Sequence, residues 1–350
     1  MSLIQPSGAF ELARPESWPS RRTEDWRWTD VRRWLRSAPP PSPPLPTSPG
    51  GPFAAVGGSE VAFSNGHAAG LEAGSDIRVE GAATIRLRFV TQAQGTGHEC
   101  QQRLELAAGA DLLLLESYEG GGAAYVASTR LEIIVGPGAR LTRVVLAEDA
   151  ADAISLSRAD IRLNEGSRLN QLTLASGARL QRLETRVAHP GRGAEAILDA
   201  VYAVGAERHA DMTTQVRHFG PDGRTRQLAK GVVAGGGRAV FQGRIVVEAG
   251  ADRTDARMGH HALMLSDRAE VDAKPELEIY ADEVACAHGN TVGALDREAL
   301  FYAMSRGLPE SEARALLTQA FLNEALERLE PGPVKDLALE WSRVRLGTLG

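Results

Sequence analysis

A short glycine-centred motif recurs through the middle of this 350-residue chain and constrains its fold more than any other feature. In each copy, glycine is followed by alanine or serine, by one further residue and then by an aliphatic residue. Glycine permits tight corners that other residues avoid, so the motif predicts a corner that leads into an inward aliphatic side chain. Stacked β-coils need such corners at regular intervals, and three intervals here are 35, 29 and 28 residues. The copies begin at Gly74, Gly109, Gly138, Gly166 and Gly177.

Short runs of alternating apolar and charged residues lie between these corners. Examples are TIRLRF from Thr84, RLEIIV from Arg130 and RLTRVVL from Arg140. A period of two is typical of half-buried strands, and no convincing helix of ten or more residues separates them. The pattern therefore predicts a mainly β chain with a parallel β-helix over residues 53–290. A β-sandwich gives similar short strands and remains the alternative at this stage.

The residues before this core have a different composition. Residues 1–36 contain four of the five tryptophans and predict an N-terminal helical segment, with Thr29 or Asp30 as a helix cap. The tryptophan rings are expected to dock this segment onto the main body. Residues 37–52 are dense in proline, which cannot continue a helix, and predict a semi-rigid or disordered linker.

The period changes to that of helices at Asp296, which predicts a C-terminal helical subdomain over residues 291–350. Asp296 is suited to cap a helix that stops at Gly307, and Pro309 and Pro333 are suited to open two further helices. The second helix carries an apolar stripe that either packs on the strand domain or docks a partner. This candidate partner-binding stripe comprises Leu316, Leu317, Ala320 and Phe321, with Ala313 one turn earlier.

Composition and charge narrow the classes of function. A net charge of −6 argues against a nucleic-acid partner, and no apolar run approaches the roughly 18 residues that a membrane span needs. The N-terminus lacks a basic stretch followed by an apolar run, so we expect no signal peptide and a cytoplasmic location. Two cysteines cannot form a disulfide framework or a zinc site of four cysteines.

The chemistry-bearing motifs are few. The chain has no P-loop, no G-x-S-x-G elbow and no H-E-x-x-H, and His260 and His261 would point to opposite faces of a strand. Cys286 and His288 are two residues apart and would share one face, where a thiolate and an imidazole suit a metal. They supply two ligands at most. From the residues alone, they are either half of a metal site or a buried cysteine beside a hydrogen-bonded histidine.

The stretch KPELEIYADEVACAHGNTVGALDREALFYAMSRGLPESEARALL, residues 274–317, resembles the C-terminal signature of the SufB/SufD family. These proteins are scaffolds of the SUF system of iron–sulfur cluster assembly. The likeness extends back to residue 229, and it includes EVAFSNGH from Glu60 and PSRRTEDWRWTD from Pro19. The absence of an N-terminal cysteine cluster favours the SufD branch over the SufB branch.

The resemblance implies a right-handed parallel β-helix flanked by helical segments and a non-enzymatic scaffold role. It implies pairing with a SufB-like subunit through the β-helix ends, and binding of a SufC-like ATPase by the C-terminal helices. A family histidine at the subunit interface falls on His288, and Cys286 beside it is either a ligand or a packing residue. We therefore expect no cofactor held stably by the isolated chain, but transient iron or an iron–sulfur cluster at the SufB interface. The isolated chain is expected as a monomer or a homodimer.

Two other functions compete with this one. A secreted-type β-helix enzyme acting on polysaccharides would need paired carboxylates, for which Asp255, Asp267 and Glu278 are candidates. A homo-oligomeric, adhesin-like solenoid would use the coils alone and leaves the helical tail without a purpose.

Overall fold

The computed structural model describes residues 10–69 and 75–349, and its body is a two-sheet parallel β-solenoid. From the third strand onward, successive strands alternate between the sheets, so each coil adds one strand to each sheet. Among the described residues, neighbouring strands are parallel except in the antiparallel hairpin of the first two strands. Antiparallel pairing of the sandwich type is absent from the rest of the described body, so the predicted parallel β-helix is confirmed.

The first sheet has ten strands within the described residues. In spatial order they are β18 (Ala285–Gly293), β16 (Asp255–Met264), β14 (Arg224–Val233), β12 (Glu195–Val204), β10 (Arg168–Ala175), β8 (Arg140–Glu148), β6 (Asp111–Gly120), β4 (Ala82–Thr91), β1 (Ser59–Ser64) and β2 (His67–Ala69). The second sheet has eight, in the order β17 (Glu270–Ile279), β15 (Arg238–Val247), β13 (His209–His218), β11 (Leu180–His189), β9 (Ile154–Leu163), β7 (Val126–Val135), β5 (Gly97–Leu106) and β3 (Ile77–Val79).

The glycine corners set the coil period. Gly138 and Gly166 have φ angles of 64° and 61°, in the left-handed region that favours glycine, and Gly109 and Gly177 share this geometry. The predicted corner at Gly74 lies outside the described residues. The aliphatic residues after the first three described corners are fully buried in the lumen between the sheets, as predicted; they are Leu112, Leu141 and Leu169. The residue after the fourth corner, Leu180, packs instead on the outer face beside the N-terminal segment.

The N-terminal segment is less helical than the sequence predicts. Helix α1 covers only Val31–Trp34, with single 3-10 turns at Pro15–Ser17 and Glu24–Trp26. Asp30 caps α1 by accepting the Arg33 N–H. Pro19 lacks an N–H, and the Arg32 side chain donates to the Trp18 carbonyl at 2.6 Å, so contacts with side chains replace helical hydrogen bonds. Residues 1–9 of the predicted segment lie outside the described part of the chain.

Tryptophan rings dock this segment on the outer face of the eight-stranded sheet, as predicted. Trp18 is 2% exposed and packs in one cluster with Ile154. Trp26 lies against the guanidinium of Arg182, at 4.2 Å from the ring centroid. Trp34 is the exception, because it stays 42% exposed at the rim of the segment.

The proline-rich stretch, predicted as a semi-rigid or disordered linker, is held along the first coils by hydrogen bonds. The Ser42 N–H donates to the Gly97 carbonyl and the Gly97 N–H donates to the Pro40 carbonyl, both at 2.8 Å. The Asn65 amide also donates to the Pro43 carbonyl at 2.8 Å. These bonds satisfy backbone groups of a segment that cannot form a helix.

Within the described residues, the last strand is followed by the helices α2 (Arg297–Ser305), α3 (Glu310–Leu326) and α4 (Pro333–Thr348). The Asp296 side chain caps α2, and Gly307 after it has a φ of 95°, so both predicted signals are confirmed. Pro309 occupies the cap of α3 rather than its first turn. In the described parts of the chain, no helix is both long and apolar enough to cross a membrane.

Helices α3 and α4 cover the outer face of the ten-stranded sheet. Leu322 and Trp341 belong to one buried cluster with Leu172, Val201 and Val232 of the sheet. This part of the outer face is therefore apolar, and the helical layer buries it.

The inward position of Gly231 offers a test of the lumen packing. A Cβ there would lie 1.8 Å from the Tyr202 ring, so Gly231→Ala must displace a fully buried aromatic side chain. We expect urea denaturation to show a loss of about 1–3 kcal/mol in the free energy of unfolding. Gly289→Ala is the matched control, since nothing lies within 4 Å of its Cβ position. Equal unfolding free energies for the two variants would contradict this packing.

Candidate functional site

The solenoid ends on two edge strands. Among the described residues, β17 pairs only with β15, and β18 pairs only with β16. Inward apolar side chains at this open end are incompletely covered: Ile279 is 43% exposed and Val292 is 38% exposed. A row of unpaired backbone groups beside apolar side chains is a template for a further strand.

Cys286, His288 and Asn290 occupy alternate positions of β18 and so face the same side of the strand. Register places them over Ala256, Met258 and His260 of β16, all of which are buried in the lumen. Their side is therefore the lumen side, continued beyond the last covered coil. His288 is exposed, while Cys286 is half-buried against the core cluster. The shared face predicted for Cys286 and His288 is thus present at the open end.

A hydrogen-bonded chain runs inward from this face. His260 Nδ1 lies 2.6 Å from Asn290 Oδ1, and His260 Nε2 lies 2.8 Å from the Tyr202 hydroxyl. Phe241 stacks on the His260 ring with a centroid separation of 4.4 Å and fixes its plane. The Tyr202 side chain reaches His260 across Gly231, whose position on β14 has no side chain to block it.

The protonation states along this chain follow from burial. Burial lowers the pKa of His260 to about 4, although the hydrogen bond with Asn290 opposes this shift. A neutral His260 donates from Nδ1 to the Asn290 oxygen and accepts the Tyr202 proton at Nε2. His261, its neighbour, lies on the outer face and contacts Thr291 Oγ1 at 2.7 Å. The prediction that the two histidines face opposite sides is confirmed.

Burial also raises the pKa of the Cys286 thiol, with the backbone at Ala256 acting against it and Asp255 adding to it. The thiolate is the metal-binding form, so the isolated chain offers a weak sulfur ligand. Across residues 10–69 and 75–349, no three histidine, cysteine, aspartate or glutamate side chains are grouped to hold a metal ion. Cys286 and His288 fit iron or a cluster only as part of a larger ligand set.

The candidate partner-binding stripe of α3 divides into two parts. Leu316 is 56% exposed and Ala320 is also exposed. Leu317 is half-buried, and Phe321 packs under the Lys230 ammonium at 4.3 Å from the ring centroid. Leu316 and Ala320 are therefore accessible, whereas Phe321 helps to hold α3 on the sheet.

Sequence reasoning missed a second apolar feature beside this stripe. Helix α2 has no buried residue, and it exposes Phe301 at 73%, Tyr302 at 60% and Met304 at 41%. These three residues and Leu316 of α3, the helix that α2 contacts, are together called the α2–α3 patch. Apolar residues in one run of a short helix were the available signal.

The carboxylates that would serve a glycosidase lie apart. Asp255 is on the ten-stranded sheet and forms an ion pair with Arg226. Glu278 is on the eight-stranded sheet near Arg244, and Asp267 lies in the turn between β16 and β17. Asp255 and Glu278 each form an ion pair with an arginine, which is an ordinary arrangement on a protein surface.

Fold and site together define a class: a parallel β-solenoid with an open end, a cysteine–histidine face and a helical C-terminus. Residues 89–321 match the family model described as SUF system FeS cluster assembly, SufBD core domain. The chain belongs to the SufB/SufD family of iron–sulfur cluster assembly proteins and, within it, resembles SufD.

Three relatives support this assignment. The iron–sulfur cluster assembly protein SufD of Escherichia coli is 32% identical over 68% of this chain and 57% of its own length. A SufBD family protein of Synechocystis is 29% identical over 78% of this chain and 63% of its own length. A SufBD family protein of Mycobacterium bovis is 31% identical over 62% of this chain and 56% of its own length. The chain thus spans 56–63% of the length of these curated relatives.

Proposed function

We propose that this chain is a non-enzymatic scaffold subunit on which iron–sulfur clusters are built jointly with a SufB-like subunit. The observation that carries the proposal is the open end, where two edge strands and the Cys286–His288 face occur together. A partner that adds strands to both sheets would bring its own ligands to that face. The iron and sulfur are substrates of assembly in this proposal, not a resident cofactor.

His288 is proposed to be the ligand that this chain contributes. It is exposed on the last strand, and imidazole nitrogen is a good ligand for iron. Cys286 is proposed as a further donor once a metal or a partner lowers the pKa of its thiol, because burial raises that pKa in the isolated chain.

The helical tail is proposed to bind a SufC-like ATPase. The α2–α3 patch exposes four large apolar side chains to solvent. Exposed apolar groups of this kind are typical of surfaces that bind another protein. ATP hydrolysis is assigned to that partner, since this sequence has no P-loop.

Pairing through the open end is tested by placing charges on it. We expect the double variant Ile279→Lys with Val292→Lys to lose co-purification with a SufB-like subunit, with affinity reduced at least about tenfold, because two ammonium groups would be desolvated at the interface. Val344→Lys is the control, since Val344 is 46% exposed but lies on α4. Any homodimer of the isolated wild-type chain is expected to form through the same end. Light scattering of the isolated double variant should therefore show monomers. Undiminished pairing by the double variant would contradict the proposal.

The ligand count gives a second test. We expect the isolated chain, purified without oxygen, to be colourless and to hold iron well below one atom per chain, because one thiol and one imidazole leave coordination incomplete. Iron analysis and visible absorption provide the measurement. A stable, fully ligated cluster in the isolated chain would overturn this expectation.

A further inference from the structure

A cleft of about 790 Å³ separates the N-terminal segment from the corner at which strands of the eight-stranded sheet begin. Eight arginines line it. Five belong to residues 21–36, and the other three, Arg179, Arg208 and Arg238, lie at the starts of β11, β13 and β15. We propose that this arginine cleft binds a small polyphosphate anion, a function separate from the scaffold role.

The charge of the cleft is opposite to that of the chain. Eight arginines face three carboxylates, Asp30, Glu207 and Glu270, which leaves a formal charge of +5 in a protein whose net charge is −6. A cleft that is lined by charges of one sign and has walls of low dielectric constant attracts counter-ions strongly. The cleft is therefore poised for an anion with several charges.

Most of these arginines lack an acidic partner. Within residues 10–69 and 75–349, no carboxylate forms an ion pair with the cleft residues Arg21, Arg27, Arg33, Arg36 or Arg179. Most arginines on the strands do form ion pairs, as Arg217 does with Glu248. Mutual repulsion among unpaired guanidinium groups is unfavourable unless an anion joins them.

Tryptophan rings hold part of this set in place. Trp34 lies beside two guanidinium groups, with Arg33 at 5.3 Å and Arg179 at 5.4 Å from its ring centroid. Arg27 lies at 5.7 Å from the Trp28 centroid. Stacking on a ring leaves the N–H donors of a guanidinium group at its edge free to bind. These arginines are therefore oriented before a ligand arrives.

The chemistry of the donors selects the ligand class. Guanidinium groups bind phosphate oxygens in a bidentate manner, and several such groups on opposite walls suit a compact ligand with more than one phosphate. The Trp34 ring already stacks on both Arg33 and Arg179, so recognition rests on the phosphates rather than on a base. Pyrophosphate is the simplest probe of this site.

Isothermal titration of the full chain with pyrophosphate tests the proposal. We expect saturable binding at one site that weakens steeply with added salt. The variant Arg33→Gln with Arg179→Gln should bind at least tenfold more weakly. The control Arg140→Gln with Arg168→Gln removes the same charge from two exposed side chains of the ten-stranded sheet and should change affinity less than twofold. The Arg33→Lys with Arg179→Lys variant, which keeps charge but loses the planar fork, should fall between.

The proposal would be overturned by the absence of saturable pyrophosphate binding, by an equal loss of affinity in the control variant, or by full affinity in the lysine variant. Citrate and a polyglutamate peptide serve as competing ligands. If either binds as tightly as pyrophosphate, the cleft recognises carboxylates and the polyphosphate assignment is wrong. Circular dichroism melts of all variants check that affinity, rather than folding, has changed.

Discussion

His288→Ala is expected to reduce iron–sulfur cluster assembly at least about tenfold while leaving the subunit folded. Loss of even an outer-sphere partner of a metal ligand commonly costs tenfold or more, so loss of the ligand itself should cost no less. His288 is exposed on an edge strand, and its replacement should change the free energy of unfolding by no more than about 0.5 kcal/mol. Complementation of a deletion strain under iron limitation, with urea denaturation of the purified variant, measures both effects.

His261→Ala is the matched control for this experiment. His261 lies on the neighbouring strand, but on the outer face and hydrogen-bonded to Thr291, so its loss should leave assembly intact. His288→Gln keeps volume and polarity and should fail like alanine if the imidazole is a ligand. Full complementation by His288→Ala, with the complex still formed, would leave His288 as a surface residue of the edge strand.

The coil architecture was predictable because its determinants are local. The backbone conformation at Gly138 and Gly166 depends on residues within one turn, and the alternation that follows each corner decides which side chains enter the lumen. The shared face of Cys286 and His288 follows from the strand period alone. These features need no knowledge of where one coil lies against the next.

The inner part of the site depends on the register between strands of successive coils, and this register cannot be read from the sequence of any one strand. Tyr202 and His260 are 58 residues apart and meet only because Gly231, on the strand between theirs, has no side chain. A shift of one residue in β14 would put a side chain between them. The hydrogen bond between Asn290 and His260 requires the same register. Reasoning from single strands therefore could not find this series of hydrogen-bonded side chains.

The N-terminal segment was predicted as more helical than it is for a similar reason. The spacing of Val31, Trp34 and Leu35 fits one face of a helix, but the tryptophan rings of the segment dock separately on the sheet. Trp18 is buried against Ile154 and Trp26 stacks on Arg182, and the residues between the two rings form turns rather than a continuous helix. Tertiary packing overrides local propensity here, and the arginine cleft is a consequence of that docking.

The largest effect on the ATPase partner is expected from the double variant Phe301→Glu with Leu316→Glu. Both side chains are more than half exposed in the α2–α3 patch, so charges there should not disturb the subunit's own core. Burying two carboxylates in an apolar interface should weaken binding of the SufC-like ATPase by about a hundredfold or more, or about 2.7 kcal/mol. A pull-down with the purified ATPase, followed by titration calorimetry, measures the change.

Point substitutions test this surface better than removal of residues 296–350. Such a truncation would uncover Leu172, Val201 and Val232 on the sheet, and the loss of binding could then reflect aggregation. Val344→Glu supplies the control, because Val344 is 46% exposed on α4 and lies outside the patch. Phe321→Ala should behave differently, reducing stability through the loss of its contact with Lys230. If the double variant binds the ATPase as the wild-type chain does, the α2–α3 patch is not the docking surface, and the partner must contact the chain elsewhere.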